Sequence, residues 1–271
     1  MPTLYVVATP IGNLEDISLR ALRMLRKAKL IAAEDTRKTK RLLDAYNIKT
    51  SVASYYEHSR AKKLDYILKT LEEGDVALVS EAGTPGISDP GYKLIAAARE
   101  KDIPVVAIPG PSAIITALVV SGLPMDRFSY VGFLPRRSTE RRRFLQSVTD
   151  ESGTIVALET PHRLREALED LLLVLGDRRI AVCRQLTKLH EEVFRGTVSQ
   201  ARQYFDKPKG EFTLVVEGNK DKEKPKINDE IIKQLKTLKT SGTTAKEALA
   251  GVSLRTGLSK KELYQAWLRL K

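Results

Sequence analysis

Cysteine and tryptophan each occur once in the 271 residues, and histidine and methionine three times each. A single cysteine excludes an internal disulfide framework, and Cys183 sits in the aliphatic run IAVCRQL, where a buried strand and no redox role are expected. Three scattered histidines beside one cysteine offer no metal-ligand spacing, so no metal is expected. No apolar run approaches the roughly twenty residues a membrane-spanning helix needs. The start, MPTLYVVATPIGN, lacks the basic flank and cleavage pattern of a signal peptide, so the expectation is a cytoplasmic protein with no membrane partner.

Charge is abundant. Lys and Arg number 46 against 34 Asp and Glu, a formal net charge of +12. Such an excess fits either a polyanionic partner or a well-solvated surface. From Asn219 to the end, 13 Lys and Arg face 6 Asp and Glu, so the last fifth of the chain carries +7 of the total. Further basic clusters lie at RKTKR (Arg37 to Arg41), SRAKK (Ser59 to Lys63) and PRRSTERRR (Pro135 to Arg143). Several such clusters flanking a ligand loop favour nucleic acid.

Short aliphatic runs alternate with segments of helical periodicity through the first half: TLYVVAT, KLIAA, DVALV and IPVVAIP read as strands, with helices between them. That rhythm predicts an α/β layer with a mostly parallel sheet over residues 1–124. The pattern breaks near SGLPMDRFSYVGFLPRR. Closely spaced strands at TIVALE, RIAVCRQL, EEVFRGT and EFTLVVEG then predict a second α/β domain with a mixed sheet over 125–218. After Gly218 the charged stretch NKDKEKPKIND reads as a linker. Beyond it, EIIKQLKTLK predicts a helix, and the capping boxes Thr244/Glu247 and Ser259/Glu262 start two more. Residues 219–271 therefore form a basic linker and a small helical tail that resembles a helix-turn-helix unit, with Trp267 in its core.

SEAGTPGISDPG, Ser80 to Gly91, holds three glycines and two prolines between a strand and a helix. Backbone N–H groups in such a turn approach a ligand at the carboxyl end of a sheet. The loop has neither the lysine and hydroxyl of a GxxxxGK[ST] phosphate cradle nor a GxGxxG dinucleotide fingerprint. Glu81 and Asp89 would repel an anion. The residues point to a neutral or cationic ligand, or to a tight structural connection.

ATPIGN (Ala8 to Asn13), SEAGTPGISDP, PGPSA (Pro109 to Ala113) and KGEFTLVVEG (Lys209 to Gly218) occur in an order that resembles the tetrapyrrole methylase superfamily, whose members bind S-adenosylmethionine between two α/β domains and usually form homodimers. AEDTRKT (Ala33 to Thr39), GFLPRR (Gly132 to Arg137) and ETPHRL (Glu159 to Leu164) resemble one branch closely. That branch methylates the ribose 2'-hydroxyl of a cytidine in the decoding region of 16S ribosomal RNA. The resemblance implies S-adenosylmethionine as cofactor and 16S rRNA or the small ribosomal subunit as partner. It places Pro10, Ser80, Glu81, Ala82, Gly83, Ile87, Ser88 and Asp89, with Ser112 and Ala113, along the cofactor. From the second domain it implies Phe133, Leu134, Leu158, Glu159, Leu186, Thr213 and Leu214.

Methylation of a ribose hydroxyl needs a hydrogen-bond acceptor or base, and a cation for the adjacent phosphate. EDTRKTKR supplies both. Asp35 or Glu34 is assigned to the hydroxyl, with Glu81 as a further candidate, against the reading of Asp35 and Thr36 as a helix start. Arg37, Lys38, Arg41, Arg60, Arg136, Arg137 and Arg163 are candidate RNA contacts, Arg163 equally as a pin for its turn. Thr160 and Pro161 read as a helix N-cap and first position, which draws His162 into the first turn; His58 is left open. Two alternatives stand beside this reading: a methylase of a tetrapyrrole or other small metabolite, and a nonenzymatic nucleic-acid-binding protein.

Overall fold

The computed structural model describes residues 1–56, 61–220, 227, 229–256 and 258–270. His58, Arg60, most of the expected linker and Gly257 of the last expected turn lie outside them.

The first half alternates strand and helix: β1 (Leu4–Val7), α1 (Leu19–Lys27), β2 (Leu30–Ala33), α2 (Thr36–Ala45), β3 (Val52–Ser54), α3 (Ala61–Glu73), β4 (Val76–Val79), α4 (Gly91–Glu100) and β5 (Val105–Ile108). The strands pair in the order β3-β2-β4-β1-β5, every pair parallel. β1, β2 and β4 read as continuous aliphatic runs because helices cover both faces of the sheet. Ile31, Ala33, Val7 and Val79 pack with Leu22 and Leu25 of α1 and Leu42 of α2. Leu4, Leu30, Val76 and Leu78 pack on the other face with Ile67 and Leu71 of α3 and Leu94 of α4.

The next helix, α5 (Ala113–Ser121), follows β5 in the chain but packs elsewhere. Its Ile114, Ala117 and Leu118 join Ile11 from the β1 turn against Val156, Ala181, Cys183 and Val215. Those four belong to a second sheet built from β6 (Phe128–Phe133), β7 (Thr154–Glu159), β8 (Arg179–Arg184), β9 (Glu192–Thr197) and β10 (Phe212–Val216). Its order is β6-β7-β10-β8-β9, with β6 parallel to β7 and the other pairs antiparallel. The opposite face packs on α6 (Ser138–Ser147), α7 (Pro161–Leu175) and α8 (Val198–Tyr204) through Leu145, Leu164, Leu168 and Ala201.

FSYVGF, expected as a break in the pattern, is β6. It lies at the sheet edge with every residue at least partly exposed, so the aliphatic signature of the inner strands is missing. Thr160 caps α7 by backbone geometry, with Pro161 in the first turn as expected.

Residues Met1–Gly218 form one compact unit and Asn219–Lys271 a second. The second holds α9 (Asp229–Thr240), α10 (Ala245–Thr256) and α11 (Lys260–Arg269). The expected capping box is complete at Ser259/Glu262, while at Thr244/Glu247 the Glu247 N–H donates to Thr244 Oγ1 at 3.4 Å and that hydroxyl donates to the Glu247 carboxylate. Trp267 is buried with Leu235, Val252 and Leu263, a core residue as the sequence predicts. Among the described residues, no helix is long and apolar enough to cross a membrane.

Candidate active site

Three turns meet at the carboxyl ends of β1, β4 and β5, where ligands of α/β sheets bind. Thr9 and Gly83 exchange both backbone hydrogen bonds at 2.9 Å. Gly83 holds φ +79°, a conformation costly for a side-chain-bearing residue. Gly110 approaches β1 so closely that a Cβ there would stand 3.0 Å from the Ala8 Cβ. Asp89 closes the glycine loop from within, its Oδ1 accepting from the N–H groups of Gly86 and Gly91, both at 2.8 Å. Burial pushes the Asp89 carboxyl up, against these two bonds.

The second sheet closes over these turns at two points. The Ser88 Oγ lies 2.7 Å from the Tyr130 hydroxyl of β6, and Asn13 N donates to Thr187 Oγ1 at 3.0 Å. A cavity of about 330 Å³ is walled by Thr9 to Gly12, Ser80 to Ala82, Lys38 and Arg41, with Lys188 and Glu211 from the second sheet's turns.

Its charges are ordered. The Lys38 ammonium pairs with the Glu81 carboxylate. Burial would lower the Lys38 pKa, but Glu81, then Glu211 and Asp35, raise it. Glu34 Oε2 accepts from the Glu81 N–H at 3.0 Å. Burial, joined by the charges of Asp89, Glu81 and Asp35, pushes the Glu34 carboxyl above its ordinary value in spite of that bond. Asp35 is opposite in character. It is the N-cap of α2, its Oδ1 accepting from Arg37 N at 2.8 Å and Lys38 N at 3.1 Å, and these bonds, Lys38's first, hold its carboxyl low.

The cavity thus gathers Pro10, Ser80, Glu81, Ala82, Lys38 and Arg41 of the residues predicted from sequence. Ser112 is the N-cap of α5 and Ala113 its first residue. Leu158, Thr213 and Cys183 are register partners on β7, β10 and β8. They share the sheet face that carries Val156 and Val215 toward α5, and Leu186 joins the same cluster. Leu214 points the other way, fully buried among the α6 and α7 side chains, so only its backbone can meet a ligand on the α5 side. Ile87 is 44% exposed. Phe133, Leu134, Arg136 and Arg163 border a separate cavity of about 610 Å³, together with Pro135, Thr160 and His162.

Arg163 is engaged internally, with its guanidinium 2.5 Å from Glu159 Oε1 and donating to Leu134 O at 3.2 Å. Glu159 is buried, and its second oxygen, Oε2, has no hydrogen-bond partner. Arg37 projects outside the first cavity, and Arg137 sits near Glu140 at 3.5 Å. Sequence reasoning missed Lys188 and Glu211. Lys188 lies in the turn between β8 and β9 and Glu211 immediately before β10, and no local motif marks either as a site residue.

The family model described as Tetrapyrrole (Corrin/Porphyrin) Methylases matches residues 3–202. A protein from Synechocystis sp. named ribosomal RNA small subunit methyltransferase I is 45% identical, covering 100% of this chain and 99% of the relative. Its namesake from Halalkalibacterium halodurans is 43% identical over 98% of this chain and 94% of the relative. The namesake from Thermotoga maritima is 49% identical, over 80% of this chain and 99% of its own. Among solved structures, the uroporphyrin-III-C-methyltransferase from Thermus thermophilus superimposes with a TM-score of 0.57 at 21% identity, covering 80% of this chain and 94% of that one. A putative diphthine synthase from Entamoeba histolytica gives 0.59 at 17% identity, over 84% and 95%. With the two-sheet architecture, the three converging turns and a family match over most of its length, this chain belongs to the tetrapyrrole methylase family and is similar throughout to proteins named ribosomal RNA small subunit methyltransferase I.

Proposed function

We propose that the chain is an S-adenosylmethionine-dependent methyltransferase acting on the ribose 2'-hydroxyl of a cytidine in the decoding region of 16S ribosomal RNA. The observation that carries this is a cavity wall that gathers Glu81 with the cations Lys38 and Arg41, with Glu34, whose carboxyl burial pushes up, accepting the Glu81 N–H from behind that wall. Lys38 and Arg41 suit the phosphates of an RNA strand, and a nonenzymatic RNA binder has no use for the half-buried Glu34 carboxyl. The reading includes residues 1–124 and 125–218 as the two methylase domains, 219–271 as an RNA-contacting tail, a homodimer and a cytoplasmic location.

The residues fit the cofactor. Thr9 Oγ1 in the cavity wall is a buried polar atom without a partner, and such an atom calls for a ligand group or water. Glu81 and Asp89 suit a cationic ligand, and the Ser80 to Gly91 loop has no lysine for a phosphate. When bound, S-adenosylmethionine supplies an electrophilic methyl on a sulfonium. Pro10, Ser80 to Gly83, Ser112 and Ala113 hold the ligand from the first sheet, with Leu158, Leu186 and Thr213 from the second. Glu34 would accept the proton of the ribose hydroxyl, the bound donor supplying the methyl and keeping its sulfur as a neutral thioether. Lys38 and Arg41 hold backbone phosphate and keep the sugar in line, and alignment of this kind is worth several powers of ten in rate.

Asp35, already occupied by the helix start, serves as a cap. Asparagine caps as well as aspartate but is no base, so Asp35→Asn is expected to keep a near-wild-type methylation rate. Asp35→Ala is expected to lose about 1 kcal/mol of stability through the lost cap. A collapse of the single-turnover rate in Asp35→Asn, with normal folding, would return Asp35 to the chemistry.

Incubating the protein with radiolabelled S-adenosylmethionine and undermodified small subunits, free 16S RNA or tetrapyrrole precursors tests the whole reading. Label on a 16S ribose is expected. Label only on a tetrapyrrole, or no retention of cofactor by folded protein, would replace this reading with one of its rivals.

A further inference from the structure

Lys188 occupies a turn, Gln185 to Glu191, that is held in unusual backbone. Gln185 and Thr187 adopt φ of 47° and 66°. Residues other than glycine enter this left-handed region at a cost, and they stay there where surrounding contacts over-determine them, commonly at ligand clamps. Those contacts are present. Gln185 N donates to Glu211 O at 3.0 Å and Lys188 N to Gln185 O at 3.0 Å, while Thr187 N donates to Glu191 Oε2 at 2.5 Å. The Gln185 side chain fills the space where a Cβ on Gly210 would stand, 2.6 Å from its Cγ.

The turn is also pressed onto the first sheet. A Cβ on Gly12 would lie 2.5 Å from Lys188 Cγ and 2.8 Å from Leu186 O, so the lysine stem crosses bare backbone there. Its ammonium ends on Glu211 Oε2 at 2.8 Å, within the wall of the cavity that Lys38 also lines. Two lysines of this cavity, one from α2 and one from the Gln185–Glu191 turn of the second sheet, therefore each rest on an exposed carboxylate, Lys38 on Glu81 and Lys188 on Glu211. Arg41, also in the wall, makes no ion pair among the described residues. Exposed lysine–carboxylate pairs contribute little to stability, so strained backbone is poorly explained by holding one.

We propose that Lys188 and Lys38 form a two-sided clamp for backbone phosphates of the RNA strand, and that Glu211 and Glu81 are the resting partners those phosphates displace. The clamp rests on the RNA-methylation reading above and adds to it a substrate-binding residue from the second sheet. Phosphate replaces carboxylate without leaving an ammonium unpaired, and the bond that forms is again charge-assisted.

Three variants of the full chain separate this from a structural ion pair: Lys188→Gln, Lys188→Arg and Glu211→Gln. The readouts are KM and kcat for undermodified small-subunit RNA across a salt series, and equilibrium binding of S-adenosylmethionine. Lys188→Gln is expected to raise the RNA KM roughly tenfold, the scale of one lost hydrogen bond to a charged group, with kcat much less affected. Its log KM against log salt should flatten by roughly 0.7–0.9, the share of one phosphate contact. Lys188→Arg should recover most of the loss. Glu211→Gln should act in the opposite direction, lowering KM, because it removes the competing carboxylate.

Equal damage from Lys188→Gln and Glu211→Gln would mark a structural pair and overturn the clamp. A fall in cofactor affinity with unchanged RNA KM would move Lys188 to the cofactor's carboxylate and overturn it as well. A wild-type chain that methylates 16S RNA beside a Lys188→Gln variant with unchanged KM and salt slope defeats the clamp alone. A wild-type chain with no activity on 16S RNA removes both readings.

Discussion

Glu34→Gln is expected to slow methyl transfer by roughly 10²–10⁴-fold, the usual worth of a positioned proton acceptor, with S-adenosylmethionine still bound. Glutamine keeps the side chain's length and can still accept the Glu81 N–H bond, so loss of rate without loss of cofactor affinity isolates the proton role. The pH profile gives an independent readout. Burial and three neighbouring carboxylates push the Glu34 carboxyl up, so the ionised form that accepts a proton is lost at higher pH than for an ordinary glutamate. The acid limb of kcat/KM in the wild type should accordingly lie above the ordinary glutamate value of about 4.3. That limb should vanish in Glu34→Gln. A variant turning over like the wild type, with the limb intact, would transfer the role to Glu81 or to no protein group.

The largest effect on stability is expected from Asp170→Ala. Arg141 is fully buried, its Nε 2.6 Å from Asp170 Oδ2, and Arg142 Nε lies 2.6 Å from Oδ1. Ser138 donates to both oxygens. Removing the carboxylate leaves a guanidinium buried without its main counter-ion, which typically costs about 3–5 kcal/mol. Urea unfolding followed by circular dichroism measures it, and a loss under 1 kcal/mol would contradict the account.

Burial alone would raise the Asp170 pKa, but hydrogen bonds from Arg142, Ser138 and Arg141 hold it below the ordinary value of 3.8. A depressed folded-state pKa contributes stability that is complete above the unfolded value and disappears as pH falls through the folded one. The gap between wild type and Asp170→Ala should therefore be constant at neutral pH and narrow only below about pH 4. The same Arg141 also donates to the Pro135 and Arg136 carbonyls at 3.2 and 3.1 Å. Losing Asp170 should thus loosen the GFLPRR turn beside the larger cavity.

Much of this architecture could be read from residue order, because each layer leaves a local mark. Doubly covered strands such as LIAA and VALV are continuous aliphatic runs, and Ser259 with Glu262 announces a helix start within four residues. What escaped is set by distant contacts. β6 is a partly exposed edge strand, so FSYVGF carries no clean period. The three residues of β3 are too short for one. Asp35 and Glu34 are adjacent carboxylates with the same apparent promise, yet only the fold decides that one caps a helix and the other is desolvated under the Glu81 N–H. Lys188 is 150 residues from Lys38, and nothing near it in the sequence says they share a cavity.

Trp267, the chain's only tryptophan, is enclosed by Leu235, Val252 and Leu263 in the C-terminal unit, with the Lys239 ammonium 5.7 Å from its ring centroid. Indole emission from this protein therefore reports the surroundings of that small helical core, and residues 1–218 contain no tryptophan of their own. A denaturation curve taken at tryptophan wavelengths follows the C-terminal unit directly, so Met1–Gly218 needs a second probe.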